Sequence, residues 1–285
     1  MLVLVWGTTW AAIRVGLAGI PPFTGVAMRF TLAGLLLLAL APRFGVRLGA
    51  SRRERALWAA NAFLSFGVSY AVVYWCEQYI PSGLAAVLFA TYPLLVAALA
   101  HLFLPGERLA PAAAAGLLLG FAGVAVIFSD DLRLLGGDEV RTAALVMLVS
   151  PVVSAVSMIL IKRWGAGIHP LSLAAVPMLA AGLAMGVVAL VFERGRPLVL
   201  DARSLGALLY LTVFGSAVTF TVYYWLLARV SATRVALTSY LIPIVAVAVG
   251  AVAFHEPVRP RLLAGSALVL AGVVAVGRRR PRRSS

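Results

Sequence analysis

Residues 106–124 read GERLAPAAAAGLLLGFAGV, and residues 255–273 read HEPVRPRLLAGSALVLAGV. Four positions recur in register: Glu107 with Glu256, Pro111 with Pro260, Gly116 with Gly265, and Gly123 with Gly272, each pair separated by 149 residues. The echo extends outward. Tyr74-Trp75 matches Tyr224-Trp225 and Pro93 matches Pro243 at a spacing of 150, while Pro21 matches Pro170 at 149. One unit of about half the chain is written twice.

The chain has 285 residues, of which 62% are hydrophobic and only 12% charged, and its mean hydropathy is +1.01. A soluble domain carries about 25% charged residues. Half that number cannot cover a water-facing surface, so a soluble fold is excluded and lipid is the expected partner. The net charge of +14 would suggest nucleic acid in a soluble protein. Here the charges fall in short gaps between apolar runs, so they orient the chain in a membrane and no nucleic-acid partner is expected. The single cysteine, Cys76, makes no internal disulfide, and no metal-ligand spacing surrounds it. No basic segment precedes the first apolar run, so it does not read as a cleaved signal peptide.

A helix of about 20 apolar residues crosses the hydrocarbon core, and only helices or closed barrels satisfy the backbone there. Ten long, unalternating runs occur, near 2–17, 23–41, 56–75, 82–104, 112–129, 142–161, 171–192, 204–227, 233–254 and 261–277. Their lack of alternation excludes a barrel. Five runs per unit is an odd number, so the second copy enters from the opposite face. The expected fold is an all-α integral membrane protein with ten transmembrane helices in two inverted five-helix repeats, 1–129 and 142–277, followed by a basic tail, 278–285. With a cytoplasmic N-terminus, fifteen Lys and Arg lie in inner segments and eight in outer ones, which places both termini inside a cell membrane. Met1 already lies within apolar sequence, so either the first helix begins at the membrane surface or the natural start lies upstream, the second being the expectation. Inverted repeats recur in secondary transporters, where one site opens to either side by similar movements.

Together, WGTTW in the first run, MRFTLAGLLLL in the second, and SGLAAVLFATYPLLVAALAHLFLPGERL through the fourth resemble the EamA-like family of the drug/metabolite transporter superfamily. The resemblance spans nearly the whole chain. It implies a permease moving small organic metabolites, often by efflux, across a membrane such as the inner membrane of a cell, with no organic cofactor. It does not imply a particular substrate. Family members often carry Ser-Asn where this chain has Thr8 and Thr9, and the second copy has His255 where the first has Gly106.

Within this frame the candidate cavity residues are Trp6, Thr8 and Thr9 in the first run, Tyr70 and Tyr74 in the third, and Thr91 and Tyr92 in the fourth. In the second copy Tyr224 takes the place of Tyr74, and Ser239 and Tyr240 flank Pro243. Aromatic side chains with polar tips suit a pocket for organic molecules. They also suit an interfacial belt, the expected place of Trp75, Tyr79 and Trp225. Pro93 and Pro243 fall mid-run, where proline bends a helix, and are candidate hinges beside Thr91, Tyr92, Ser239 and Tyr240. Arg29 is the one cation inside a run. It is read as an anion contact, a lock on a helix C-terminus, or a side chain snorkelling to the headgroups; Met178 replaces it in the second copy. No Asp or Glu sits well inside a run, with Glu77 at the outer end of the third, which argues against a buried carboxylate as a proton carrier. The runs at 112–123 and 261–272 are rich in small residues and suit close packing, either between halves or between subunits of a homodimer. Glu107 and Glu256 precede helix-opening prolines and are expected to cap those helices, with a gate salt bridge as the alternative. His101, His169 and His255 are scattered, so neither an enzyme nor a metal site is expected. A lipid flippase or a structural membrane subunit is the alternative to a transporter of small molecules such as amino acids or drug-like compounds.

Overall fold

The computed structural model describes residues 1–49, 51–129, 137–245 and 260–277. Among them every regular element is helical. Ten apolar helices follow one another: α1 (Leu2–Leu17), α2 (Pro22–Phe44), α3 (Arg52–Cys76), α4 (Ser82–Phe103), α5 (Pro111–Ile127), α6 (Asp138–Trp164), α7 (Pro170–Phe192), α8 (Ala202–Arg229), α9 (Ala232–Val245) and α10 (Pro260–Val276). Six of these, α2, α3, α4, α6, α7 and α8, are long and apolar enough to cross a membrane. The protein is a multi-pass membrane protein. The end of the ninth run, His255, Glu256 and the basic tail lie outside the described residues.

Proline opens four helices, at Pro22, Pro111, Pro170 and Pro260. Its fixed φ suits the first turn, and its missing N–H would have no partner there. Five helices are interrupted along their length: α6 turns at Leu148, and the other four form matched pairs. α3 widens to a π-helix at Ala62–Ser69, and α8 does so at Val213–Val218. α4 breaks between Phe89 and Tyr92, and α9 turns at Leu237. Pro93 thus sits in the first turn of the second half of α4 rather than inside a continuous kinked helix.

Two pairs of helices pack backbone to backbone. A Cβ on Gly116 of α5 would stand 2.9 Å from the Gly272 carbonyl oxygen of α10, and one on Gly123 would stand 2.7 Å from the Gly265 carbonyl oxygen. Gly116 and Gly265 are repeat mates, as are Gly123 and Gly272. Each glycine therefore meets the mate of the other, the reciprocal contact a two-fold axis produces. α2 and α7 cross just as closely. A Cβ on Gly34 would stand 2.6 Å from the Leu179 nitrogen, and Gly182 lies against Thr31. Small residues let these backbones approach without losing dispersion contacts.

Polar ties join the helix ends. The Glu193 carboxylate accepts hydrogen bonds from the Phe23 and Thr24 amides, each at 2.8 Å, and so caps α2. Glu54 accepts from the Ser172 hydroxyl in the first turn of α7. Lys162 donates to the Leu227 and Val230 carbonyls at the end of α8, at 2.7 and 2.8 Å. Glu107 does cap a helix, but not the one behind Pro111. Its carboxylate accepts from the Ala232 amide at 2.9 Å and the Thr233 amide at 3.4 Å, at the start of α9. Gly106, at φ +86°, makes the left-handed turn that precedes this reach. Every tie joins ends that strict up-and-down order brings to the same side.

Candidate functional site

A cavity opens between α1, α3 and α4 on one side and α6, α8 and α9 on the other. These are three pairs of repeat mates. The remaining mates, α2 with α7 and α5 with α10, are spent on packing. The cavity encloses about 1000 Å³ of atom-free space, counting what is open to solvent.

Its wall is aromatic. Trp6 and Trp10 come from α1, Tyr70 from α3, Phe89 and Tyr92 from α4, and Phe220, Tyr223 and Tyr224 from α8. The rings brace one another edge to face: Trp6 on Phe220 with centroids 5.5 Å apart, Trp10 on Phe89 at 5.9 Å, and Tyr70 on Phe220 at 6.2 Å. Hydroxyls from Thr9, Ser65, Ser157, Thr238 and Ser239 interrupt the rings, and none of the described lining residues is charged. Two buried networks hold the wall in place. The Tyr92 and Tyr223 hydroxyls pair at 2.9 Å, tying α4 to α8. Asn61 donates to the Leu173 carbonyl and the Tyr224 hydroxyl, each at 2.8 Å, and accepts from the Ser157 hydroxyl at 2.9 Å. One amide thereby joins α3, α6, α7 and α8.

Arg29 lies behind this wall. It has no exposure to solvent, so it does not snorkel. Its Nε donates to Ser216 Oγ at 2.8 Å, its Nη2 to the Gly215 carbonyl at 3.1 Å, and its Nη1 to the Tyr74 hydroxyl at 3.2 Å. Gly215 and Ser216 belong to the π-helical turn of α8, whose widened ladder leaves carbonyls to be taken up by side chains; Thr219 Oγ1 takes that of Phe214. The guanidinium stands 4.9 Å from the centre of the Tyr70 ring.

The structure divides the expected site residues. Trp6, Thr9, Tyr70, Tyr92, Tyr224, Ser239 and Pro243 line the cavity. Thr8, Tyr74, Thr91, Pro93 and Tyr240 do not. Thr8 bonds Tyr210 of α8. Tyr74 packs on Gly25 of α2 and spends its hydroxyl on Arg29. Thr91 returns its hydroxyl to the Leu88 carbonyl at the break in α4. Tyr240 faces α5: its ring lies on Gly120, which has no side chain to displace it, and its hydroxyl donates to the Leu117 carbonyl at 2.9 Å. Trp10, Phe89, Tyr223, Asn61 and Ser157 went unread. Trp10 was within reach, since it stands four residues after Trp6 on the same helical face.

Glu77 also departs from its reading. It follows the last residue of α3, yet it is only 2% exposed, and neither carboxylate oxygen has a hydrogen-bond partner among the described residues. Burial pushes its carboxyl up to about 8, against the opposing pull of Arg14. The helix end is covered by protein rather than by headgroups, so a carboxylate beyond the apolar run is buried after all.

The EamA-like transporter family matches residues 1–129 and 141–278. The "Uncharacterized transporter YvbV" of Bacillus subtilis is 28% identical over 277 residues, covering 96% of this chain and 88% of that protein. The "Uncharacterized inner membrane transporter YedA" of Escherichia coli is 29% identical over 250 residues, covering 87% and 79%. The "Probable terminal-alkyne amino-acid exporter" of Streptantibioticus cattleyicolor is 31% identical over 284 residues, covering 98% and 92%. A crystal structure with a TM-score of 0.82 and 23% identity covers 96% of this chain and 94% of its own, a likeness of fold alone.

Proposed function

We propose that this chain, which belongs to the EamA-like transporter family, is a secondary transporter that moves small organic solutes through the aromatic cavity by alternating access. The observation that carries the reading is the composition of the wall: three helices from each copy, taken as repeat mates. Ten spans in two inverted repeats put that wall on an axis in the membrane plane, so the same movement opens it to either side. The break in α4 beside Pro93 and the turn of α9 at Leu237, six residues before Pro243, are the hinges of this reading. Both termini are cytoplasmic, as the distribution of Lys and Arg favours.

The cargo is a molecule of at most one net charge, neutral and zwitterionic ones included, with an apolar or aromatic part. Sparse hydroxyls and no lining charge suit neither sugar phosphates nor other multiply charged solutes. Amino acids fit this chemistry, and a relative named as an amino-acid exporter points the same way.

The test is counterflow in proteoliposomes with labelled amino acids. Saturable exchange is expected. Tyr92→Ala, which opens the wall and breaks the link to Tyr223, should raise KM at least tenfold. Tyr240→Ala should leave KM unchanged, because Tyr240 faces α5. Equal effects of the two substitutions would place the site elsewhere, and no saturable exchange from folded protein would sink the transport reading.

A further inference from the structure

An aromatic box invites one reading above others, that it holds an organic cation. Aromatic faces attract ammonium groups, and quaternary ammonium ligands are bound in such cages. A cage of that kind works where no fixed positive charge stands nearby. Here one does.

Arg29 is wholly buried, and every partner it makes is neutral: a serine hydroxyl, a backbone carbonyl and two tyrosines. Among the described residues no carboxylate forms an ion pair with it. Its charge is therefore solvated by dipoles but not cancelled. Tyr70 links it to the cavity: the guanidinium is 4.9 Å from the centre of the ring, and the ring is wall. A ligand atom on the far face of that ring stands roughly 3.5 Å further on, so the charge acts over about 8 Å. At an effective dielectric constant of about 20, that distance changes the occupancy of a singly charged ligand by a factor of roughly thirty. Cations lose by it and carboxylates gain. The same Tyr70 face that would attract a cation is already engaged from behind by one.

A second observation points to the same ligand. The indole N–H of Trp6, another wall residue, is shielded from solvent and has no partner among the described residues. An indole nitrogen donates and never accepts. An ammonium ligand leaves it unsatisfied, whereas a carboxylate satisfies it.

We infer that Arg29 sets the charge selectivity of the cavity, which admits solutes carrying a carboxylate beside an apolar or aromatic group and rejects organic cations, with Trp6 as the donor that meets the carboxylate. This deepens the transporter reading and rests on it for the word substrate, but the potential of the cavity is measurable without any substrate.

On a Cys76→Ser background, Ser239→Cys places one thiol in the wall. Its reaction rates with the anionic sulfonatoethyl and the cationic trimethylammonioethyl methanethiosulfonates report the local potential. Relative to a Gln78→Cys control, the anionic reagent should be favoured at least tenfold. Arg29→Gln should abolish the preference and Arg29→Lys should keep it. A ratio that equals the control, favours the cation, or ignores Arg29→Gln overturns the inference. So does a thiol that neither reagent reaches. In counterflow with the unaltered chain, 3-phenylpropionate and phenylalanine should exchange at least tenfold faster than phenethylamine, and Trp6→Phe should weaken the two carboxylates selectively. Equal exchange of phenethylamine overturns the inference. An anion preference at Ser239→Cys with no exchange of any solute would uphold the potential and sink the transporter reading instead.

Discussion

Replacing Glu77 by glutamine should flatten the pH dependence of stability. The carboxyl is 2% exposed and unpartnered, and its folded-state value stands at about 8 against an ordinary value of about 4.3. Desolvation is the cause: ionising the group where it is buried costs more than ionising it in the unfolded chain. The sign follows. Below about pH 4.3 both states hold the proton and nothing is lost. Between about 4.3 and 8 the unfolded chain releases the proton and the folded chain keeps it, so stability falls by about 1.4 kcal/mol per pH unit. Above about 8 the loss levels off. From pH 6 to pH 8, with the slope already falling near 8, this amounts to about 2.3 kcal/mol, or on the order of 5 °C in Tm for a chain of this size. Glutamine keeps the shape and has no proton to lose. Thermal unfolding of both proteins in detergent at pH 6, 7 and 8 gives the answer, because all other titrating groups contribute alike to the two curves. The unaltered chain should lose about 5 °C more than Glu77→Gln over that range. Parallel curves would show that Glu77 is hydrated or paired in the folded protein and would refute the burial argument.

Four further substitutions test the packing. Gly120→Ala puts a Cβ 2.6 Å from the Tyr240 ring and should cost about 1–3 kcal/mol in thermal unfolding; Gly206→Ala, with nothing within 4 Å and a place within α8, should instead be neutral or gain up to about 1 kcal/mol. Glu107→Ala removes the cap of α9 and should cost about 1 kcal/mol, with increased hydrogen exchange confined to the Ala232 and Thr233 amides. Asn61→Leu strands the Leu173 carbonyl and the Tyr224 and Ser157 hydroxyls, and should cost about 3 kcal/mol in denaturant unfolding.

The spacing of 149 to 150 residues carried most of what could be read in advance. It named the mates, and the mates turned out to be the helices that share the wall. What it could not give was the face each side chain takes. Tyr70 and Tyr74 stand one turn apart on one helix and look equivalent. Tyr74 turns away because Gly25 of α2 leaves room for its ring and Arg29 claims its hydroxyl. Tyr240 was misplaced for the same reason: the glycine that receives it, Gly120, lies in the other copy. The π-helical turns of α3 and α8 were illegible as well, since FG at 66–67 and at 214–215 reads as ordinary helix. Arg29 was conspicuous as a cation in an apolar run, but its partners Gly215 and Ser216 are contributed by a turn nearly two hundred residues away.

The matched wall also explains where the copies must differ. A solute with one polar end has no two-fold axis of its own. A site built on such an axis can hold it in one orientation only if the side chains break the symmetry that the backbone keeps. They do so at each pair of mates that matters here. Tyr70 faces Phe220 across the wall at 6.2 Å, a hydroxyl on one side and none on the other. Phe89 is matched by Ser239, and Tyr92 by Ile242, so aromatic rings concentrate on α4 and smaller groups on α9. Behind them Arg29 is matched by Met178, also fully buried. In the proposed alternating-access reading the charge stands on one side of the repeat axis, and the helices that would rock about that axis are alike on both. Exchanging the two, Arg29→Met with Met178→Arg, would keep composition and move the buried cation from α2 to α7. Without Ser216, the Gly215 carbonyl and Tyr74 to receive it, the exchanged arginine should unfold the chain at a temperature well below that of the single Arg29→Met variant. If the double exchange were as stable as Arg29→Met alone, the fit of Arg29 to the π-helical turn would not be what makes a buried cation tolerable here.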